Sequence, residues 1–510
     1  MSFRSSRQNA MQQKYYKKGI DVEGMKRGRE DQNWSLRKQK RNLALSKRRN
    51  ISGEDSAPPN IKDNPKVEDL PRFAKEIRSS DPSTQFDAIY CVRSLLSASE
   101  NPPIEQIISL GIARDLITIL SYSEDPSIQY QCAWALTNIA CGTNEQTNAL
   151  LDYGAVPAFI SILNGNYDEA VKDQAIWALG NIAADSTPFR DFILHQNVLD
   201  TLVQIISQTK GRLQVTGTWC VANLCRGKPE PSFDITKQII PALLSLLRSD
   251  TREQVKGDAC WAIAHLSGSS SAERISYLFD SGLTDCIIPL LRDSSVTIHT
   301  PAVRVVGNIA SGDDNFTEQM VNAGTLPLLA DLFEQTSNDN LAREICWTLS
   351  NIAAGSKMQT QRVLEENALI ETLFSRAETL SISVKREIAW IVTNICSGGT
   401  AEQVYSIVQH GAIDLFSDFL SVPDQNLVLI VLEGLENIFA SGDNIRELSG
   451  STNPYMSHLE SSGGLTKLNQ LAEQTQPPLL GRILQFIDQY DVDDEMEEEY
   501  LIPRIDSNRQ

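Results

Sequence analysis

The chain has 510 residues, more than the roughly 250–300 at which one hydrophobic core stops growing, so it holds several domains or one repeat array. Its hydrophobic content, 41%, is that of a folded chain, and no run of 18 apolar residues occurs, which excludes a membrane-spanning helix. The formal charge of −19 is unevenly spread: residues 1–50 carry 15 Lys/Arg against 4 Asp/Glu, which leaves −30 for the remainder. Such a body repels nucleic acid and attracts cationic partners.

The basic arm, residues 1–50, opens without the apolar run of a secretory signal and is too charged to fold alone, so it is expected to be disordered. A flexible, proline-containing linker follows at 51–69. Nine cysteines are scattered through the chain, most inside apolar helical stretches such as those of Cys132, Cys260 and Cys346, with no CxxC pair and no zinc-type spacing. A reduced compartment, cytosolic or nuclear, is expected, with no metal and no cofactor.

From residue 70 to 490 one pattern recurs. A weak first copy, PSTQFDAIYCVRSLLS at 82, is followed by CAWALTNIACG at 132, AIWALGNIAAD at 176, TWCVANLCRG at 218, CWAIAHLSG at 260, VRVVGNIASG at 303, CWTLSNIAAG at 346 and AWIVTNICSG at 389. Tryptophan fills one slot at 134, 177, 219, 261, 347 and 390; Arg304 takes it once, and a further step of 43 reaches Glu433 in LEGLENIFASG. A second phase runs through GIARDLITIL at 111, GAVPAFISIL at 154 and GTLPLLADLF at 324. Each unit is therefore a short helix, a Gly or Asn break, a second helix and a longer third helix. Periods near 42 are those of armadillo and HEAT arrays, whose units must stack to bury their apolar faces. The expected fold is all-α, a right-handed superhelical solenoid of about ten armadillo repeats with a long concave groove. The acidic tail spans 491–510.

Taken as a helix, residues 171–185 gather Val171, Ala175, Leu179, Ile182 and Ala183 on one stripe and leave Gln174, Trp177, Asn181 and Asp185 on the other side. Repeated along the array, the slot makes a ladder of indoles with a parallel ladder of asparagines four residues later. A carboxamide suits the N–H and C=O of an extended backbone, while indole faces hold alkyl stems and attract the cation at their end. With helices about 8–10 Å apart and a strand rise of about 3.3 Å, successive indoles would frame side chains two or three residues apart. The ligand read from this pattern is a short, extended, basic peptide. Carboxylates near the ladder, Asp185, Asp258, Glu344 and Glu387, agree, with Gly142 and Thr147 beside Asp185. His265 replaces an asparagine and Arg304 a tryptophan, so the ladder divides into a larger and a smaller segment. A cation at 304 repels a basic ligand unless it is paired with a carboxylate or with ligand carbonyls.

These features together resemble importin α (karyopherin α), the adaptors that carry nuclear-localisation signals, over nearly the whole chain. The resemblance implies a major signal site at Trp134, Asn138, Gly142, Thr147, Gln174, Trp177, Asn181, Asp185, Trp219, Asn223, Asp258 and Trp261, with Thr147 and Asp185 taking a key lysine. It implies a minor site at Arg304, Asn308, Glu344, Trp347, Asn351, Glu387, Trp390 and Asn394 for the second cluster of a bipartite signal. The arm is similar to an importin-β-binding segment, with Lys26, Arg27, Arg29, Arg37, Lys38, Lys40 and Arg41 as contacts. Lys47, Arg48 and Arg49 look like cargo and would inhibit in cis. The partners implied are cargo with mono- or bipartite basic signals, importin β, a recycling exportin and nucleoporins. The implied setting is shuttling between cytoplasm and nucleus without membrane insertion or direct nucleic-acid binding.

Five histidines without a motif and no phosphate-binding glycine loop argue against an enzyme. The alternative is an armadillo scaffold of the adhesion or signalling type, which is expected to read acidic ligands with rows of Lys and Arg.

Overall fold

The computed structural model describes residues 64–490 apart from positions 99, 100, 250, 270, 450–452, 477 and 478. The basic arm, most of the linker and the acidic tail lie outside the described residues. All regular elements described are helices, and they divide at Ser281/Gly282 into two compact units.

The long third helices of the repeats are α1 (Pro82–Ala98), α2 (Pro126–Ile139), α3 (Glu169–Asp185), α4 (Arg212–Leu224) and α5 (Glu253–Ser267) in the first unit. In the second they are α6 (Val296–Ala310), α7 (Asp339–Ala353), α8 (Ile382–Gly398), α9 (Gln425–Ser449) and α10 (Leu479–Tyr490). Within each unit, each third helix packs on the next. The described residues therefore form an all-α series of ten tandem repeats, the first shorter than the three-helix repeats that follow.

Local sequence sets the helix boundaries. Asp125 accepts the Ser127 N–H ahead of α2, with Pro126 filling a first-turn position that needs no donor. Asp168, Ser295 and Asn338 cap α3, α6 and α7 in the same way. The break between first and second helices recurs as one residue of left-handed backbone, φ 82° at Gly154, 88° at Gly324 and 56° at Asn197. Only glycine and, at some cost, asparagine hold that conformation readily. First helices start on capping boxes, Ser356/Gln359 and Thr400/Gln403, whose glutamines also donate to the preceding repeat, to Asp314 O at 2.9 Å and Lys357 O at 2.8 Å. One side chain thus ends a loop and fixes the spacing between neighbouring repeats.

The two-sided reading of α3 needs correction. Gln174, Ala178, Gly180 and Asn181 are buried along with the apolar stripe, and Trp177 and Asp185 stay partly exposed. A third helix is flanked by its own repeat's helices and by the third helices before and after it, so little of its circumference meets water.

Candidate peptide-binding ladders

In the first unit Trp134, Trp177, Trp219 and Trp261 each keep part of the ring exposed. They are not evenly spaced slots. Trp177 and Trp219 stack on each other, centroids 5.1 Å apart and planes 30° from parallel. An alkyl stem between two rings needs about 7–8 Å, two carbon–carbon contacts, so the expectation that every pair frames a ligand stem fails here. The close approach has a sequence cause. A methyl on Gly180 would overlap the Trp219 ring, and one on Gly307 would overlap the Trp347 ring. The glycine that precedes the ladder asparagine therefore seats the following repeat's indole.

The asparagines are also less open than the sequence suggests. Asn138, Asn181 and Asn223 are buried. Asn181 Nδ2 donates to Thr137 O at 3.3 Å and to Cys141 Sγ at 3.0 Å, and Asn138 Nδ2 to Ser97 Oγ at 3.0 Å. In the second unit Asn351 and Asn394 donate to Gly307 O at 3.1 Å and Ser350 O at 2.9 Å. The amide ends of these four asparagines thus tie their repeats to the ones before. Polar capacity is left over: Asn181 Oδ1 and Asn223 Nδ2 are buried without a partner.

Polar groups converge where α3 ends. Asn144 Nδ2 donates to Asp185 Oδ2 at 2.8 Å, which joins the start of helix Asn144–Asp152 to the end of α3. One turn along that helix, Thr147 is fully buried and its hydroxyl has no partner. Gly142 lies between this helix and Cys141, the thiol that touches Asn181. A carboxylate, a helix C-terminus and two unsatisfied oxygens suit an inserted ammonium. Gln174 is buried; Asp258 and Trp261 are partly exposed on α5, where His265 stacks on Trp261 at 6.0 Å.

In the second unit the interrupting arginine is paired. Arg304 Nε lies 2.6 Å from Glu344 Oε2, its Nη2 donates to Oε1 at 2.6 Å, and its guanidinium stands 5.1 Å from the Trp347 ring centre. The carboxylate expected to await a ligand at 344 is spent on Arg304, and Trp347 is only 7% exposed, sealed rather than open. Glu387 is buried, while Asn308, Asn351, Trp390 and Asn394 are partly exposed.

Arg93 completes a symmetry that sequence reading missed. It sits on α1, 41 residues before Trp134, off the 42–43-residue ladder step, which falls on Val92 or Cys91. Its guanidinium lies 4.4 Å from the Trp134 ring centre and its Nε donates to Gln131 Oε1 at 2.8 Å. Arg304 does the same to Trp347 and Glu344, and in both cases the holding side chain stands three residues before the covered indole. Each ladder thus begins with an arginine laid over its first tryptophan.

Tandem helical repeats, each built on a long third helix that packs on the next within its unit, make this an armadillo-type protein. Comparison with known proteins narrows the class. Residues 12–90 match the importin beta binding domain, residues 100–141, 143–184 and 313–354 the armadillo/beta-catenin-like repeat, and residues 211–266 a HEAT-like repeat. Importin subunit alpha-3 of Arabidopsis thaliana is 36% identical across 98% of this chain and 95% of its own length. Importin subunit alpha-B of Dictyostelium discoideum is 37% identical across 96% and 94%. A crystal structure of an engineered protein shares the fold, with TM-score 0.70 and 24% identity over 83% of this chain and 99% of that one. The chain belongs to the importin α family of nuclear import adaptors, and residues 12–90 are its importin-β-binding domain. That match runs beyond the basic arm into α1. Lys26, Arg27, Arg29, Arg37, Lys38, Lys40 and Arg41, with Lys47, Arg48 and Arg49, lie outside the described residues.

Proposed function

We propose that the ladder faces hold basic nuclear-localisation signals of cargo as extended peptides. The major site spans Trp134 to Trp261 and the minor site Arg304 to Asn394, the latter taking the second cluster of a bipartite signal. The supporting observation is the polar convergence at the end of α3, where Thr147 Oγ1 and Asn181 Oδ1 lack partners and Asn144 holds the Asp185 carboxylate in place. A lysine ammonium supplies three donors and one positive charge to that position. The Trp177 and Trp219 faces turned outward from their stack cover the flanking stems.

The domain division proposed is an arm at 1–50, a linker at 51–69, repeats at 70–490 and a tail at 491–510. Lys47, Arg48 and Arg49 compete with cargo in cis, since a short tether holds them at an effective concentration of about millimolar. Importin β removes the arm and frees the ladders. The tail and last repeat recruit a recycling exportin, nucleoporins contact the loaded adaptor, and the protein shuttles between cytoplasm and nucleus. Binding of one lysine-rich peptide to the full chain, to Asp185→Lys and to a chain lacking residues 1–60 tests these readings. Expected are a loss of at least about tenfold in the first variant and a gain in the second. Unchanged affinity in Asp185→Lys sinks the major site, and unchanged affinity without the arm sinks the inhibition.

A further inference from the structure

The ladder slot continues past Trp390 to Glu433, and the geometry shows that the continuation is real. Thr137, three residues after Trp134, donates its hydroxyl to Gln174 O at 3.0 Å, three residues before Trp177. Thr393, three residues after Trp390, donates to Ile430 O at 3.1 Å, three residues before Glu433. The α8/α9 pair therefore has the register of the α2/α3 pair, and Glu433 stands to Trp390 as Trp177 stands to Trp134. Four residues on, Asn437 continues the asparagine row.

The polar groups at this step are unspent. Glu433 is partly buried and forms no hydrogen bond or ion pair with the described residues. Burial holds its carboxyl above the ordinary glutamate range, partly offset by the charge of Arg482. Arg482 is itself committed to Glu436, with Nη2 at 2.8 Å and 2.9 Å from the two carboxylate oxygens. Asn437 Nδ2 is buried without a partner, unlike Asn351 and Asn394, whose amides reach back to the preceding repeat. Trp390 Nε1 is buried and also lacks one. A half-buried carboxylate one ladder step from an indole, with an idle amide donor one turn along its own helix, costs free energy as it stands and calls for a cation with a backbone carbonyl next to it.

We infer that Glu433, Trp390 and Asn437 form a further cation subsite, which takes a Lys or Arg side chain of an extended peptide one repeat beyond the Trp347–Trp390 segment. The inference rests on the ladder reading above and extends it. A carboxylate in a slot that holds tryptophan at six other steps makes this step selective for charge, where a tryptophan also accepts apolar stems. One repeat corresponds to two or three peptide residues, so the cation it reads is a single lysine set that far outside the basic cluster.

The test uses the full chain carrying Asp185→Lys, which removes the first unit's contribution. The probes are fluorescent peptides with a five-residue lysine/arginine core flanked by alanines, with or without one extra lysine two or three residues outside the core at either end. Glu433→Gln is expected to weaken an extra-lysine peptide roughly three- to tenfold and to leave the alanine-flanked peptide unchanged. Trp390→Ala is expected to weaken both. If Trp390→Ala weakens both while Glu433→Gln affects neither, or both equally, the subsite is wrong and the ladder stands. If Trp347→Ala and Trp390→Ala affect neither peptide, the ladder reading of the second unit fails and the subsite with it.

Discussion

The guanidinium of Arg304 lies 5.1 Å from the ring centre of Trp347 and is held there by Glu344. Arginine and carboxylate are both largely buried, with side chains 12% and 4% exposed. Removing the cation alone leaves Glu344 with only Arg343, at 3.8 Å. Arg304→Leu is therefore expected to destabilise the chain by about 3 kcal/mol in denaturant unfolding, and Arg304→Leu with Glu344→Gln to recover most of that loss. A double variant no more stable than the single one would show that ring packing, not charge pairing, is what Arg304 supplies.

Gly180 and Gly307 lie inside helices, where replacement by alanine normally gains up to about 1 kcal/mol. Here the added methyl meets the rings of Trp219 and Trp347. Overpacking costs about 1–3 kcal/mol, so both substitutions are expected to destabilise. Gly481 is exposed in α10, a methyl added there would meet nothing within 4 Å, and Gly481→Ala should stabilise by up to about 1 kcal/mol. Melting temperatures of the three variants decide; a gain at Gly180 would mean the ring is free to move aside.

Cys141 is the one cysteine of nine that is not buried, and it donates to Thr137 O at 3.2 Å while accepting from Asn181. Burial pushes the thiol of Cys91 up to about 11 and that of Cys225 to about 12, so neither supplies thiolate near neutrality. Limited alkylation of the native chain followed by peptide mass mapping is expected to label Cys141 first, and bound basic peptide to slow that labelling. Equal labelling of Cys225 would contradict the packing around α4.

Asp424 accepts from Arg386 Nε at 2.9 Å and from the Leu427 N–H at 2.7 Å, which joins α8 to the start of α9. The Arg386 hydrogen bond, with further help from backbone N–H groups, holds its carboxyl below the ordinary aspartate range. The stabilisation it brings is therefore complete above the unfolded-state value and is lost as pH falls through the depressed native one. Asp424→Ala is expected to cost about 1–2 kcal/mol near neutrality, chiefly through the cap, and progressively less in acid. A cost independent of pH would remove the carboxylate's charge from the explanation.

Much of this was legible in the primary sequence. The steps of 42 and 43 between tryptophans located every third helix from α2 to α8, and the glycine breaks located most second helices. Burial around a third helix was not legible, because periodicity registers one apolar stripe and α3 is covered from several sides; Gln174 and Asn181 read as exposed and are buried. The stacking of Trp177 on Trp219 depends on Gly180, one residue before the asparagine, whose role appears only when the neighbouring repeat is in place. Arg304 read as an interruption that needed a carboxylate, and Glu344 supplies it. Arg93 was missed because it stands outside the 42–43-residue step and its repeat carries no tryptophan.

Gly180 belongs by sequence to one repeat and by contact to the next, since the hollow it leaves is filled by the indole of its successor. At this seam, and at the Gly307–Trp347 seam, neighbouring modules are consequently matched pairs, like keyed masonry courses. An ancestral gene that lengthened this array by copying one unit would have had to alter the seam on both sides before the new course could bear a ring.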